Sequence, residues 1–202
     1  VPRGLRVTAT QPTRFEIAEM PGTTMNIDGV HSAMSPDGRT LAYCARDTTG
    51  TERLWLRPLE SLVAREIPGT DGAAMPFWSP DGRFIGYFSG AQKMWKVAVA
   101  GGTPEAIVDV KGPRGGTWSR DGVILYAPFS EGPIYRISAN GGEGTPITTV
   151  DSTGAGHRYP VFLPDGKHFI CTAIPPRDGK YTILFGSMDG KELTPIINNA
   201  GS

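Results

Sequence analysis

The segments Ser35-Pro36-Asp37-Gly38-Arg39 and Ser79-Pro80-Asp81-Gly82-Arg83 are identical, and two further copies of the pattern follow them along the chain. The later copies are Ser119-Arg120-Asp121-Gly122 and Leu163-Pro164-Asp165-Gly166-Lys167. The four aspartates are 44, 40 and 44 residues apart. A period in the low forties is that of a four-stranded propeller blade, so the repeat predicts four consecutive blades.

The residues on both sides of each Asp-Gly pair repeat as well. A large apolar residue lies three positions before each aspartate, and apolar runs follow the turn. Each repeat therefore reads as strand a, a tight turn, strand b, a loop, strand c, a turn and strand d. In the tight turn, proline presets φ, aspartate bonds to nearby backbone, and glycine takes the positive-φ corner. The tryptophans recur at blade spacing and are interpreted as core residues: Trp55, Trp78, Trp95 and Trp118.

The composition agrees with many short strands joined by turns. The 202 residues include 27 glycines and 18 prolines, which a helical protein would not tolerate. Twenty basic and twenty acidic side chains give a formal net charge of zero, so nothing draws the chain to nucleic acid or to an anionic membrane surface. No apolar run approaches the roughly 18 residues that a membrane span needs, so this segment is expected to make no membrane contact.

The repeats predict a single all-β domain, a β-propeller of four-stranded antiparallel blades, over residues 1–202. The predicted units are an N-terminal closing strand at 13–24 and blades at 25–70, 71–110, 111–150 and 151–197. Propellers close with about 4 to 8 blades, so we expect these four to belong to a six- or seven-bladed ring. The missing blades would lie elsewhere in a longer protein, or a second copy would close the ring through the open blade edges as a homo-oligomer.

This repeat resembles the TolB-like Asp-Gly propeller repeat, which is also seen in the propellers of prolyl-oligopeptidase-like enzymes. Longer segments resemble the C-terminal propellers of bacterial eukaryotic-like serine/threonine kinases. These segments are 53–59, 76–82, 114–118, 120–125 and 157–166. The resemblance implies an extracytoplasmic sensor module, joined through one membrane helix to a cytoplasmic kinase. No kinase motif occurs in the sequence, so the kinase activity would belong to another part of such a protein.

Catalytic motifs are missing from the sequence. It contains no G-x-S-x-G, P-loop, G-x-G-x-x-G or H-E-x-x-H pattern, so we expect no enzyme activity, no cofactor and no metal. The four turn aspartates lie in separate blades, too far apart to converge on one ion. Cys44 and Cys171 fall on strands b of different blades and are predicted to be buried as small apolar residues.

Candidate binding residues lie where the loops entering strand a meet the loops joining strands b and c, at one mouth of the channel. Arg114 and Arg158 both stand seven residues before their turn aspartate, and two such guanidiniums suit a carboxylate or phosphate. The alternative is that each arginine pairs with a local carboxylate. His157 and His31 precede the innermost strands of blades 4 and 1 and complete the candidate set.

Three functions remain open from the sequence. The first is a kinase sensor that binds a protein or small-molecule ligand at the channel mouth. The second is a TolB-like periplasmic scaffold for protein–protein contact. The third is the substrate-gating propeller of a prolyl-oligopeptidase-like serine peptidase. They are ranked in that order by the family resemblance.

Overall fold

A computed structural model describes residues 21–25, 31–90, 92–150, 154, 156–174, 181–190 and 192–200. These residues form β-strands, turns and loops, and nothing among them is a helix that could cross a membrane. Seventeen strands are arranged in four antiparallel sheets, which are blades 1 to 4 in chain order.

Within each blade the strands follow one another from the inside outward. Blade 1 contains β1 (Thr24–Met25), β2 (Ser32–Met34), β3 (Thr40–Arg46), β4 (Glu52–Pro58) and β5 (Arg65–Glu66). Blade 2 contains β6 (Ala73–Trp78), β7 (Phe84–Ser89), β8 (Lys93–Ala98) and β9 (Glu105–Asp109). Blade 3 contains β10 (Gly116–Trp118), β11 (Val123–Tyr126), β12 (Tyr135–Ser138) and β13 (Thr145–Pro146). Blade 4 contains β14 (Gly156–Phe162), β15 (His168–Ile174), β16 (Tyr181–Ser187) and β17 (Leu193–Ala200).

The innermost strands stand side by side around a common axis. Strand β2 contacts β6, β6 contacts β10, and β10 contacts β14. In blade 1, β1 and β2 both pair with β3, at its two ends. The blades are therefore joined face to face, and their innermost strands line the central channel as they do in a propeller.

The core lies between blades and not within a single sheet. Ile85 and Tyr87 of β7 pack on blade 1, whereas Phe88 of the same strand packs on blade 3. Strand b side chains therefore alternate between two neighbouring blades, which explains why the run is apolar throughout. Packing also requires a glycine at position 86, because a Cβ on Gly86 would lie only 2.3 Å from the ring of Phe77.

The repeated tight turns adopt the predicted geometry. The four turn glycines all have positive φ, between 68° and 73°: Gly38, Gly82, Gly122 and Gly166. In blades 1, 2 and 4 an oxygen of the turn aspartate accepts the backbone N–H two residues later, at 2.9–3.0 Å. Ser35 and Ser79 add hydroxyl bonds of 2.6 Å to Asp37 and Asp81. These local bonds fix the strand a to strand b hairpin in blades 1, 2 and 4.

The all-β propeller architecture predicted from the repeat is confirmed by the four antiparallel sheets. The burial of both cysteines is confirmed as well. The proposed N-terminal closing strand at 13–24 lies mostly outside the described residues. Its last four residues, 21–24, are described, and Thr24 pairs with Arg46 of β3.

Candidate binding sites at the two ends of the inner strands

The loop end of the channel gathers the loops that the sequence placed there. The backbone N–H of Tyr159 in blade 4 donates to the carbonyl of Arg114 in blade 3 at 2.8 Å. The N–H of His157 donates to the carbonyl of Gly132, in the loop between β11 and β12. The loop that enters β10, the loop between β11 and β12 and the start of β14 therefore form one connected surface.

A left-handed residue recurs in the inner strands close to this surface. Met75, Gly115 and Tyr159 each stand six residues before their turn aspartate and have φ of 50°, 87° and 52°. The strand register is irregular just there in blades 2 and 4. Such bulges bend a strand and redirect its side chains, and left-handed backbone at Met75 and Tyr159 costs conformational energy. The left-handed residue therefore recurs in blades 2, 3 and 4, whereas the equivalent residue of blade 1, His31, does not share it.

The two predicted arginines lie next to this bulge and are half-buried. Nη1 of Arg114 donates to the carbonyl of Pro113 at 2.8 Å, and Nε of Arg158 donates to the carbonyl of Ser130 at 2.9 Å. Neither guanidinium forms an ion pair with a carboxylate of the described residues. Backbone carbonyls orient each group without neutralising it. An arginine is always protonated, and both guanidiniums have N–H donors without an acceptor among the described residues.

His157 lies beneath the same surface and is buried, with 5% of its area exposed. Its Nδ1 is 2.8 Å from Oγ1 of Thr148, and that hydroxyl also accepts the backbone N–H of Ile134 at 2.9 Å. The imidazole thus links blade 4 to the outer part of blade 3. In this position it supports the start of β14, which carries Arg158.

His31 lies on blade 1, apart from the other three candidates. Its Nδ1 is buried and has no hydrogen-bond partner among the described residues, and Oε1 of Glu52 is 3.6 Å away. Its carbonyl accepts the N–H of Cys44 at 2.9 Å. Backbone bonds therefore join the segment of Arg114 to the segment that carries His157 and Arg158, whereas His31 lies beside Glu52.

The turn end of the channel holds a second concave surface, which we call the central cleft. Its volume is about 410 Å³. Residues from all four inner strands and turns line it, including Met34, Trp78, Trp118, Phe162, Pro36, Pro80, Pro164 and Arg120. Met34 and Val161, which also lines it, are 41% and 49% exposed. The cleft is therefore an apolar, aromatic surface open to solvent.

All four tryptophans of the repeat pack against the core as predicted, and two of them, Trp78 and Trp118, also line the central cleft. Trp78 and Trp118 are only half-buried, with one side against the inter-blade core and the other on the central cleft. The indole N–H of Trp78 donates to the carbonyl of Ala33 in blade 1 at 2.9 Å. The cleft was not predicted from the repeat, because the aromatic residues were interpreted as core residues.

The remaining reactive side chains lie in the core or on the surface. No group of three potential metal ligands occurs in the part of the chain that the structure describes. Burial raises the pKa of the Cys171 thiol to about 12, and burial likewise raises the pKa of Cys44. Both thiols are therefore protonated and inert near neutral pH.

The class of protein follows from these observations: the chain forms blades of a β-propeller. No protein-family model matches it. The TolB structure from Agrobacterium tumefaciens matches with a TM-score of 0.72 and 20% identity, over 83% of this chain and 64% of that one. A second match is the β-propeller domain of the Trilobed protease from Pyrococcus furiosus, which has an open velcro topology. Its TM-score is 0.55 and its identity 14%, and the match covers 84% of this chain and 58% of that one. These likenesses are in fold.

One curated relative is similar in sequence. It is the uncharacterized peptidase YuxL of Bacillus subtilis (strain 168), which is 29% identical over 151 residues. The match covers 69% of this chain but 21% of that protein. The chain therefore corresponds to about a fifth of this relative.

Proposed function

We propose that this chain is a non-catalytic binding module that holds an anionic ligand, a carboxylate or a phosphate, at the loop end of its channel. The observation that carries the proposal is the pair Arg114 and Arg158. Both are half-buried, both are oriented by backbone carbonyls, and neither is paired with a described carboxylate.

Their position favours joint action on one ligand. The carbonyl of Arg114 accepts the N–H of Tyr159, the residue after Arg158, so the two arginines leave adjoining inner strands. A charged donor that is already oriented loses less side-chain entropy when it binds an oxyanion. His157 and Thr148 hold the start of β14 from below, so their contribution is to position Arg158.

The finer role is that of a sensor in a membrane-bound bacterial serine/threonine kinase, outside the cytoplasmic membrane. The segments quoted in the sequence analysis support this role through their resemblance to such propellers. A TolB-like protein–protein scaffold is the first alternative, favoured by the fold likeness to TolB. The gating propeller of a serine peptidase is the second, favoured by the similarity to YuxL.

The three roles differ in what surrounds the segment in its gene. Kinase motifs and a membrane helix encoded upstream support the sensor, whereas a G-x-S-x-G motif encoded downstream supports the peptidase. A secretion signal and a small α/β domain upstream support the scaffold. Sequencing the gene on both sides of the segment distinguishes them.

The binding site itself is tested by calorimetric titration of the purified chain with citrate and with inorganic phosphate at constant ionic strength. A hydrogen bond to a charged group contributes about 1.5–3 kcal/mol, which is roughly 10- to 100-fold in affinity. Arg114→Gln and Arg158→Gln should each weaken binding by at least about 10-fold. Arg39→Gln, at an exposed turn in blade 1, is the matched control and should bind like the wild type. Equal binding by all four proteins, or none by the wild type, would refute the site.

A further inference from the structure

The tight turn of blade 3 differs from the other three. In blades 1, 2 and 4 the residue that begins the turn donates its backbone N–H to a carbonyl five residues later, as Ser79 does to Phe84. In blade 3, Ser119 donates to Val123, four residues later. The turn is one residue shorter, and Arg120 stands where the other turns have proline.

Two charged side chains of the shorter turn have no hydrogen bond or ion pair with the residues that the structure describes. Asp37, Asp81 and Asp165 accept backbone N–H bonds in their turns, but Asp121 accepts none from the described residues. The Ser119 hydroxyl accepts the N–H of Val123 in this turn, at 3.2 Å. Arg120 is exposed and forms neither an ion pair nor a hydrogen bond with any residue that the structure describes.

A groove opens between blades 2 and 3 beside this turn, and its volume is about 570 Å³. Trp118 lines it and stacks on Phe84, with ring centroids 6.2 Å apart and an interplanar angle of 30°. The indole N–H of Trp118 has no acceptor among the described residues, unlike that of Trp78. Pro80, Trp118, Ser119 and Arg120 line both this groove and the central cleft, so the two form one surface.

We propose that the groove and the central cleft together bind an extended segment of a partner protein, one that carries a bulky apolar side chain next to a carboxylate. Charge complementarity selects this partner. Among the described residues that line the central cleft, Arg120 is the one with a charge, and its surroundings there are aromatic rings, prolines, aliphatic side chains and two hydroxyl groups. The carboxylates of the joined surface, Asp81 and Asp121, line the groove and not the cleft. An apolar side chain would fill the cleft, and the adjacent carboxylate would pair with Arg120.

The rest of the segment would run outward over Trp118 between blades 2 and 3. There the free indole N–H can donate to a peptide carbonyl, and Asp121 can accept a peptide N–H. This site lies at the opposite end of the channel from Arg114 and Arg158, and it does not depend on the anion site.

The test is selection of peptides from a displayed random 12-residue library on the immobilised 202-residue chain. Enriched peptides are then synthesised and titrated against four variants. Arg120→Glu reverses the charge, and Arg120→Pro restores the turn sequence of the other blades. Arg39→Glu is the matched charge reversal at an exposed turn outside the groove, and Arg114→Gln alters the anion site alone.

We expect the enriched peptides to share an aromatic or large aliphatic residue beside aspartate or glutamate. Both Arg120 variants should weaken their binding by about 10-fold or more, the size of one charge-assisted contact. Arg39→Glu and Arg114→Gln should leave it unchanged. A library that yields no enriched peptide overturns the proposal. So do enriched peptides that bind both Arg120 variants with wild-type affinity, and enriched peptides that lose affinity for Arg114→Gln. Dimers of the wild type that dissociate in Arg120→Glu would also overturn it, since a second copy would then occupy the groove.

Discussion

The packing between blades predicts a large loss of stability when Phe88 is replaced by alanine. Phe88 is 1% exposed, its ring centroid is 6.0 Å from that of Phe77, and it packs among residues of blades 2 and 3. Removing a fully buried phenylalanine side chain costs about 3–5 kcal/mol, from lost transfer energy and the cavity left behind. A folded domain has only about 5–15 kcal/mol of net stability, so this change removes a large part of it.

The assay is equilibrium unfolding in urea followed by tryptophan fluorescence. Tyr181→Ala is the matched control, because Tyr181 is an aromatic strand residue that is 41% exposed. We expect Phe88→Ala to lower the unfolding midpoint strongly at an unchanged m-value, and Tyr181→Ala to shift it by less than about 1 kcal/mol. Equal effects of the two variants, or a loss below about 1 kcal/mol for Phe88→Ala, would refute face-to-face packing of blades 2 and 3.

Three further outcomes follow from single side chains. Burial raises the pKa of Cys171 to about 12 and also raises the pKa of Cys44. A thiol reagent at pH 8 should therefore label both cysteines only as fast as the chain unfolds. Rapid labelling of the folded chain would contradict their burial. The hydrogen bond from His168 lowers the pKa of Asp165 from 3.8 to about 2, so its stabilising effect is complete above pH 4 and is lost as the pH falls towards 2. The stability difference between wild type and Asp165→Asn should therefore shrink over that interval, and a difference independent of pH would exclude the bond. Thr148→Val leaves a buried backbone N–H unsatisfied and should cost about 1–3 kcal/mol in urea unfolding, while a neutral effect would show that the Thr148 hydroxyl bonds contribute nothing.

The repeat predicted the fold well because its decisive features are local. The Pro-Asp-Gly turns depend on φ and on bonds two residues apart, so Asp81 and Gly82 could be assigned a role without tertiary information. The prediction of a loop-end site rested on repeat position, since equivalent residues of successive blades stand at the same end of the channel. The backbone bond from Tyr159 to Arg114 joins the two segments, and a shared ligand site there stays a prediction.

Other features depend on contacts that the repeat does not encode. His157 is buried against Thr148 because blades 3 and 4 pack together there. From its position in the repeat alone, His157 was a candidate for the channel mouth. The shortened blade-3 turn beside Trp118 did have sequence signals. Arg120 replaces the proline of the other turns, and the basic residue that follows their glycine is missing after Gly122.

The most direct test of the proposed function is an NMR titration of the arginine side-chain N–H signals with citrate at constant ionic strength. We predict that the Nε–H signals of Arg114 and Arg158 shift together and saturate. The signal of Arg53, whose Nε donates to Asp71 at 2.6 Å, should stay in place. If Arg114 and Arg158 do not shift, or if all arginines shift alike without saturation, the paired arginines are not a ligand site and the account of this propeller as an anion-binding module is wrong.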